Sequence, residues 1–175
     1  MYLVYKQITI RNARISDCTQ LAAWWNDGSV MARAGFPLGL GITAEKIMAD
    51  IATDSDDTRR RLVLLFGGNP IGEMCYSHVD SNTAEIDIKI CESNYQERGI
   101  GRVALSMLIR NLWETGYSRI ILDTNPKNTR ARHVYEKLGF QLVRINENSW
   151  RNQLGEPESS ADYELTQNTF HDFAV

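Results

Sequence analysis

Long apolar runs and an excess of positive charge are both missing from this sequence. No stretch of its 175 residues approaches the roughly 20 consecutive apolar residues that span a bilayer. Residues 1–6 also lack the basic start and the long apolar run of a secretory signal. The formal net charge is −3, from 19 Lys plus Arg and 22 Asp plus Glu, so bulk attraction to nucleic acid or anionic lipid is weak. We therefore expect a cytoplasmic protein whose partners include neither nucleic acid nor a membrane.

Cysteine is also scarce. The three cysteines, Cys18, Cys75 and Cys91, are odd in number and far apart along the chain. This scatter is typical neither of a disulfide framework nor of the paired ligands of a structural zinc site. We expect reduced, mostly buried thiols and no metal.

The composition that remains, 43% hydrophobic and 23% charged, is that of one globular domain. Apolar periodicity predicts a strand over residues 6–14, a helix from Ser16 to Gly28, a loop over 28–42 and a helix capped by Thr43. Strand-like periods then predict an antiparallel meander over 60–66, 71–79 and 84–90. A helix over 100–115, a strand over 119–123, a helix from Asn128 to Gly139 and a strand over 140–145 follow. Residues 148–161 resemble a hairpin connection before a last strand near 163–165.

A glycine-rich segment, Gln96-Glu97-Arg98-Gly99-Ile100-Gly101-Arg102, lies between a predicted strand and a predicted helix. Its glycines leave the backbone unshielded where helix-opening N–H groups carry the positive end of the helix dipole, so it can hold an anion such as a phosphate. A simple glycine-rich turn that starts a helix has the same local pattern. A dinucleotide site is disfavoured, because residues 91–96 separate the strand from the glycines and three antiparallel strands come first.

Two motifs resemble those of the GNAT superfamily of acyl-CoA-dependent N-acetyltransferases. Gln96-Glu97-Arg98-Gly99-Ile100-Gly101 matches the family's Q/R-x-x-G-x-G/A segment, and residues 128–140 are similar to its N-x-x-A-x-x-x-Y-x-K-x-G-F signature. The spacing of Asp87 before the glycine loop also resembles, more weakly, that of the aminoglycoside 6′-N-acetyltransferases. The order of elements extends the resemblance to essentially the whole chain.

The resemblance implies an α/β GNAT fold, with a central, mostly antiparallel mixed sheet, a V-shaped split and about four flanking helices. Residues 1–175 would form a single acetyltransferase domain. Within it, residues 1–58 would provide the acceptor side, residues 59–147 the acetyl-CoA-binding core, and residues 148–175 a C-terminal hairpin and tail. The split would lie between the third strand of the meander and the strand over 119–123.

The resemblance also implies where acetyl-CoA binds. The pyrophosphate would lie on the glycine loop, which comprises Gln96, Arg98, Gly99, Ile100, Gly101 and Arg102. Main-chain groups around Ile90 and Cys91 would bond the pantetheine arm, and the amide of Asn128 would bond it from the other side. Asn128 is equally suited to N-capping the helix that follows it.

Acetyl transfer to an amine needs a neutral amine, a polarised thioester carbonyl and a proton for the departing thiolate. Tyr135 is the candidate acid, since a phenol is less acidic than a thiol; a core aromatic is its alternative role. Asp87 and Glu85 are candidates for contacting the acceptor and serving as base. An ion pair with Lys89 is the alternative for these carboxylates.

Trp24 and Trp25 are candidate acceptor contacts, or else core packing. The sequence as a whole predicts direct attack of a primary amine on acetyl-CoA, with a small polycationic amine such as an aminoglycoside as the acceptor. The alternatives are the N-terminal amine of a protein or peptide, and a non-catalytic acyl-CoA-binding module. A homodimer is compatible with each of these.

Overall fold

The chain forms eight strands and five α-helices in a computed structural model that describes all of residues 1–175. The strands are β1 (Tyr2–Tyr5), β2 (Ile8–Asn12), β3 (Arg59–Phe66), β4 (Asn69–Asp80), β5 (Thr83–Ile90), β6 (Arg119–Thr124), β7 (Gln141–Arg151) and β8 (Pro157–Thr166). The helices are α1 (Cys18–Asn26), α2 (Gly28–Met31), α3 (Ala44–Ala52), α4 (Ile100–Glu114) and α5 (Thr129–Leu138).

The eight strands form one sheet in the order β1-β2-β3-β4-β5-β6-β8-β7. Every neighbouring pair is antiparallel except β5 and β6, which run parallel. These two strands pair only where Thr83–Glu85 lie beside Arg119–Ile121. Beyond that point they separate. The mostly antiparallel mixed sheet and its V-shaped split are therefore confirmed.

The core lies mainly between this sheet and α4. Helix α4 buries Ala104, Leu105, Leu108, Ile109 and Leu112 in a cluster of 25 buried residues. A second, smaller cluster joins α1 and α3 to the end of β5, and its buried members are Cys18, Leu21, Trp24, Ile47 and Cys91. The three cysteines are free, and two of them are buried. No helix is both long and apolar enough to cross a membrane.

The sequence prediction is wrong in two of the irregular regions. The strand predicted over residues 6–14 is present as β2, but the sequence interpretation misses β1, which precedes it. The chain turns back at Lys6, whose φ of 52° is left-handed, and so forms the β1–β2 hairpin. The expected loop over 28–42 contains α2, which Asp27 caps by accepting a hydrogen bond of 2.8 Å from the Ser29 N–H. The turn at Lys6 has no clear sequence signal, because lysine rarely adopts a left-handed conformation. The cap at Asp27 is a weak helix signal, because the glycines that follow it are typical of a loop.

The C-terminal hairpin is longer than the sequence predicts. β7 continues through residue 148 to Arg151 and β8 begins at Pro157, so the connection shrinks to residues 152–156. Almost all of β7 is exposed, since it is an edge strand. Such a strand does not need apolar residues at alternate positions, so its sequence resembles that of a loop.

Candidate active site

A cleft of about 720 Å³ opens where β5 and β6 separate. It is bounded by the start of α4, one face of α5 and the segment around α2. Of the residues predicted for the site, it brings together Asp87, Ile90, Gln96, Gly99, Ile100, Gly101, Arg102, Asn128 and Tyr135. The cleft does not include Glu85, Cys91, Arg98, Trp24 or Trp25 in its lining.

The glycine loop is tied to both walls of the cleft. The Gln96 side chain donates to the Ile90 carbonyl at 2.8 Å, which fixes the loop to the end of β5. The Glu97 carboxylate accepts from Arg130 on α5 at 3.3 Å. Glu97 and Gly99 have left-handed φ angles of 60° and 76°. A left-handed glutamate is costly, and such conformations concentrate at functional sites.

Helix α4 opens with unpaired backbone donors. Gly99 is its N-cap residue and provides no side-chain cap, and the N–H groups of Ile100, Gly101 and Arg102 make no hydrogen bond within the protein. A Cβ added at Gly101 would meet only two isoleucine side chains, the nearer at 3.4 Å. Bare N–H groups at the start of a 15-residue helix are suited to an anion.

Arg102 adds a side-chain donor to the same place. Its Nε is buried without a hydrogen-bond partner, and its guanidinium lies 4.1 Å from the centre of the Phe173 ring. An Nη atom of the same guanidinium lies 3.9 Å from the position of a Cβ built at Gly99, so Arg102 adds a positive charge close to the bare N–H groups. The residues present therefore fit the pyrophosphate of acetyl-CoA.

The polar groups predicted to hold the pantetheine arm are already bonded within the protein. The Ile90 carbonyl accepts from Gln96, and the Cys91 N–H donates to the Ile71 carbonyl at 2.9 Å. The Asn128 N–H donates to the Asn125 carbonyl at 2.8 Å, and the Asn128 side chain caps α5 by accepting from the Ala131 N–H at 3.3 Å. Its capping role is present, whereas its contact with the arm stays a prediction.

Tyr135 lies on the buried face of α5 and is 6% exposed. Its ring packs against Phe140 and Tyr163, each with a centroid distance of 5.9 Å, and its hydroxyl makes no hydrogen bond within the protein. Burial raises the pKa of Tyr135, and the nearby charges of Asp87 and Asp123 raise it further. The two sequence interpretations are thus compatible: the ring belongs to the core while the hydroxyl reaches the cleft.

Asp87 is free of the ion pair that the sequence allowed. Lys89 bonds Glu73 at 3.1 Å, because these two residues lie directly opposite each other on β5 and β4. Asp87 has no cation within 4.0 Å, and its carboxylate accepts only from the Ile88 N–H at 2.8 Å. A single strand-face carboxylate therefore points to the cleft without a cationic partner.

Asp123 is a cleft residue that the sequence interpretation missed. The pairing between β5 and β6 ends where Glu85 lies beside Ile121. Asp87 and Asp123 are each two residues further along, so their side chains lie on the same face of the sheet as those of Glu85 and Ile121. Partial burial raises the pKa of Asp123, and the carboxylates of Glu85, Asp162 and Asp87 raise it further. In the sequence, Asp123 is recognisable only as an acidic residue at the end of a buried strand, and that pattern alone does not identify a catalytic or binding site.

This geometry agrees with what comparison with known proteins finds. The family model described as an acetyltransferase (GNAT) domain matches residues 7–141. The chain belongs to the GNAT acetyltransferase family. As a GNAT enzyme it is an acetyl-CoA-dependent N-acetyltransferase, with acetyl-CoA as its co-substrate.

Solved structures share the GNAT fold over nearly the full chain. A spermidine N-acetyltransferase from Vibrio cholerae, in complex with CoA and spermine, has a TM-score of 0.80 at 20% identity and covers 93% of this chain and 97% of its own. The ribosomal-protein-S5-alanine acetyltransferase from Vibrio fischeri has a TM-score of 0.82 at 16% identity, with coverages of 98% and 99%. At these identities the likeness shows the fold.

The remaining predicted site residues of this acetyltransferase lie outside the cleft. The Trp24 indole N–H donates to Glu92, just after β5, at 2.8 Å, and that of Trp25 donates to Glu73 on β4 at 2.7 Å. Both side chains therefore hold α1 in place. The Arg98 guanidinium lies 5.7 Å from the centre of the Tyr95 ring and faces a neighbouring hollow. No group of three or more His, Cys, Asp or Glu side chains is placed to hold a metal ion.

Proposed function

We propose that this chain transfers the acetyl group of acetyl-CoA to a primary amine that enters the cleft as an ammonium ion. The observation that carries this proposal is the pair of carboxylates, Asp87 and Asp123, beside the hydroxyl of Tyr135. Neither carboxylate has a cationic partner within 4.0 Å, although both lie in one cleft. Two like charges that share a site without a counter-ion favour a cationic ligand.

Acetyl-CoA supplies the acetyl group as a thioester. The first-turn N–H groups of α4 and the side chain of Arg102 would bind its pyrophosphate, and Gln96 would hold the loop in place. The Tyr135 hydroxyl would give its proton to the departing sulfur; its raised pKa keeps it protonated at neutral pH.

Asp87 and Asp123 would hold the acceptor ammonium and receive its proton, directly or through water. Asp87 raises the pKa of Asp123, and both carboxylates raise the pKa of Tyr135. Groups at this end of the cleft therefore hold protons more strongly than they would in solvent. Glu85 acts here only through its charge on Asp123, since it does not line the cleft.

The acceptor classes named from the sequence, a small polycation and an N-terminal amine, both carry a primary amine. Proteins with this fold include a spermidine N-acetyltransferase and a ribosomal-protein-S5-alanine acetyltransferase, which supports a small polyamine and a protein as acceptor classes. The third alternative, a non-catalytic acyl-CoA-binding module, does not require a buried tyrosine hydroxyl beside unpaired carboxylates.

We also propose that the enzyme is cytoplasmic, where free thiols stay reduced. The homodimer stays a prediction that the molecular mass in solution checks.

Thiol release from acetyl-CoA, followed across a panel of amines, tests the proposed function. The panel contains polyamines, aminoglycosides and peptides with free N-termini, each also in an N-acetylated form as a control. We expect saturable release with at least one free amine and none with its acetylated form. Tight acetyl-CoA binding with no amine-dependent release would favour the non-catalytic module.

A further inference from the structure

Arg33 enters the cleft from the segment that follows α2. Its Nη1 donates to the Asn128 Oδ1 at 2.8 Å, so it reaches the N-terminus of α5 from the acceptor side. Ser29 and Val30 of α2, and Ala34 beside Arg33, line the cleft with it. No carboxylate lies within 4.0 Å of the Arg33 guanidinium, whose one bond in the protein is to a neutral amide.

The segment that carries Arg33 is held in place at its base. Gly35 is left-handed at φ 91° and packs so closely on Trp150 that an added Cβ would come within 2.4 Å of that ring. The Gln153 N–H donates to the Gly35 carbonyl at 2.8 Å, and its side chain donates to the Gly39 carbonyl at 2.9 Å. The position of the guanidinium is therefore set by the C-terminal hairpin as well as by Asn128.

Most other cations of the cleft have partners or lie elsewhere. Lys89 is paired with Glu73, and Arg130 with Glu97. Arg102 lies in the first turn of α4, where the free backbone N–H groups are. Lys137 lies in the last turn of α5, at the opposite end of that helix from Asn128. Arg33 is thus the cation that the acceptor side presents to the cleft.

We propose that Arg33 binds a carboxylate of the acceptor, an inference that rests on the proposed acetyl transfer. A guanidinium has five N–H donors in a fork that matches a carboxylate, and Arg33 uses one of them on a neutral oxygen. Exchanging that oxygen for a carboxylate would give charge-assisted hydrogen bonds, which are about twice as strong. The first turn of α4 accounts for the pyrophosphate of acetyl-CoA, and Arg33 comes from the acceptor side of the cleft, so we assign its anion to the acceptor.

The two ends of such an acceptor would be close together. Arg33 bonds Asn128, and both of these residues line the same cleft as Asp87 and Asp123. An ammonium at Asp87 and Asp123 and a carboxylate at Arg33 describe an amino acid, or a peptide with an acidic side chain near its N-terminus. A polyamine offers nothing to Arg33 and would bring a like charge beside it.

Matched acceptors, each with and without the carboxylate, test the proposal. Alanine against alaninamide probes an α-carboxylate, and Ala-Asp-Ala-amide against Ala-Asn-Ala-amide probes a side chain. Each is measured by kcat/KM and, separately, by calorimetric binding to the protein saturated with CoA. We expect the acidic member of at least one pair to be favoured about tenfold in both measurements.

The variants Arg33→Gln and Arg33→Lys separate recognition from support of Asn128. Arg33→Gln keeps a donor near Asn128 but loses the charge, so the preference should fall to within about twofold. Arg33→Lys should retain part of the preference. Arg119→Gln is the matched control, because Arg119 pairs with Glu164 at the other end of β6. CoA affinity should be unchanged in all three variants.

Several outcomes would overturn the carboxylate subsite. One is a ratio near one for both pairs in the unaltered protein. Another is an equal loss for both members, or weaker CoA binding, in Arg33→Gln, which would make Arg33 a support for Asn128. If no amine is acetylated but carboxylate-dependent binding is lost in Arg33→Gln, the subsite stands and the acetyl transfer fails. If amines are acetylated without any preference, the acetyl transfer stands and the subsite fails. If there is neither turnover nor a carboxylate preference, both proposals fail.

Discussion

Replacing Tyr135 by phenylalanine removes one hydroxyl from the cleft and leaves the packing of the ring unchanged. The hydroxyl makes no hydrogen bond within the protein, and the ring contacts with Phe140 and Tyr163 are those that phenylalanine also makes. We therefore expect the free energy of unfolding to change by less than about 0.5 kcal/mol. A general acid typically contributes at least a hundredfold to the rate, so turnover should fall by about that factor, which corresponds to ~2.7 kcal/mol in the barrier.

Steady-state thiol release, calorimetry with acetyl-CoA and thermal unfolding together decide this prediction. Because burial and two carboxylates raise the pKa of Tyr135, the unaltered enzyme should keep its acid up to alkaline pH and show no activity loss there from this group. The acetyl-CoA affinity of Tyr135→Phe should match that of the unaltered enzyme. Full turnover in a folded Tyr135→Phe enzyme would refute the assignment and leave solvent as the proton source. A large drop in stability would instead mean that the hydroxyl has a structural partner.

Three further substitutions probe the other parts of the cleft. Gly101→Val should fold, since a Cβ at this position meets only the side-chain ends of Ile90 and Ile88. It should weaken acetyl-CoA binding by at least tenfold in calorimetry by covering the bare N–H groups, and unchanged affinity would remove the glycine loop from the site. Asp87→Asn should lower kcat/KM for a cationic amine by about tenfold at low salt and less at high salt, whereas the matched Glu85→Gln should lose less, because only Asp87 lines the cleft. Asp123→Asn should raise the Tm at pH 7, because the raised pKa of Asp123 means that ionisation of this carboxyl opposes folding. The gain in Tm should vanish below about pH 4, where the carboxyl is protonated in both the folded and the unfolded chain. A gain that grew towards acid pH would contradict that sign.

The parts of the fold that the sequence predicts well are those with local signals. Helix α4 starts where Gly99 is left-handed, and α5 starts at a capping Asn128 and ends at Gly139, whose φ is 96°. The apolar alternation of β5 identified a central strand with an acidic face. Each of these signals lies within about one turn or one strand of the element it defines, so no knowledge of the topology is needed.

The parts of the site that the sequence does not predict depend on contacts between distant segments. Arg33 and Asn128 meet although they are 95 positions apart. Asp123 becomes a cleft residue only because β6 lies beside β5 and parts from it after Ile121. Nothing in the local pattern around either residue specifies these neighbours.

Asp87 shows how one long-range contact changes a chemical interpretation. Along β5, Lys89 is the next residue on the same face as Asp87, so the sequence offers it as an ion-pair partner. Residues two apart on a strand are separated by about 6.5 Å, whereas directly opposite residues on paired antiparallel strands have Cβ atoms about 5 Å apart. Glu73 lies directly opposite Lys89 and bonds it at 3.1 Å. The cross-strand register thereby leaves the carboxylate of Asp87 without a cation within 4.0 Å. Together with Asp123 it forms the pair of carboxylates beside Tyr135 on which the proposal of a cationic acceptor rests.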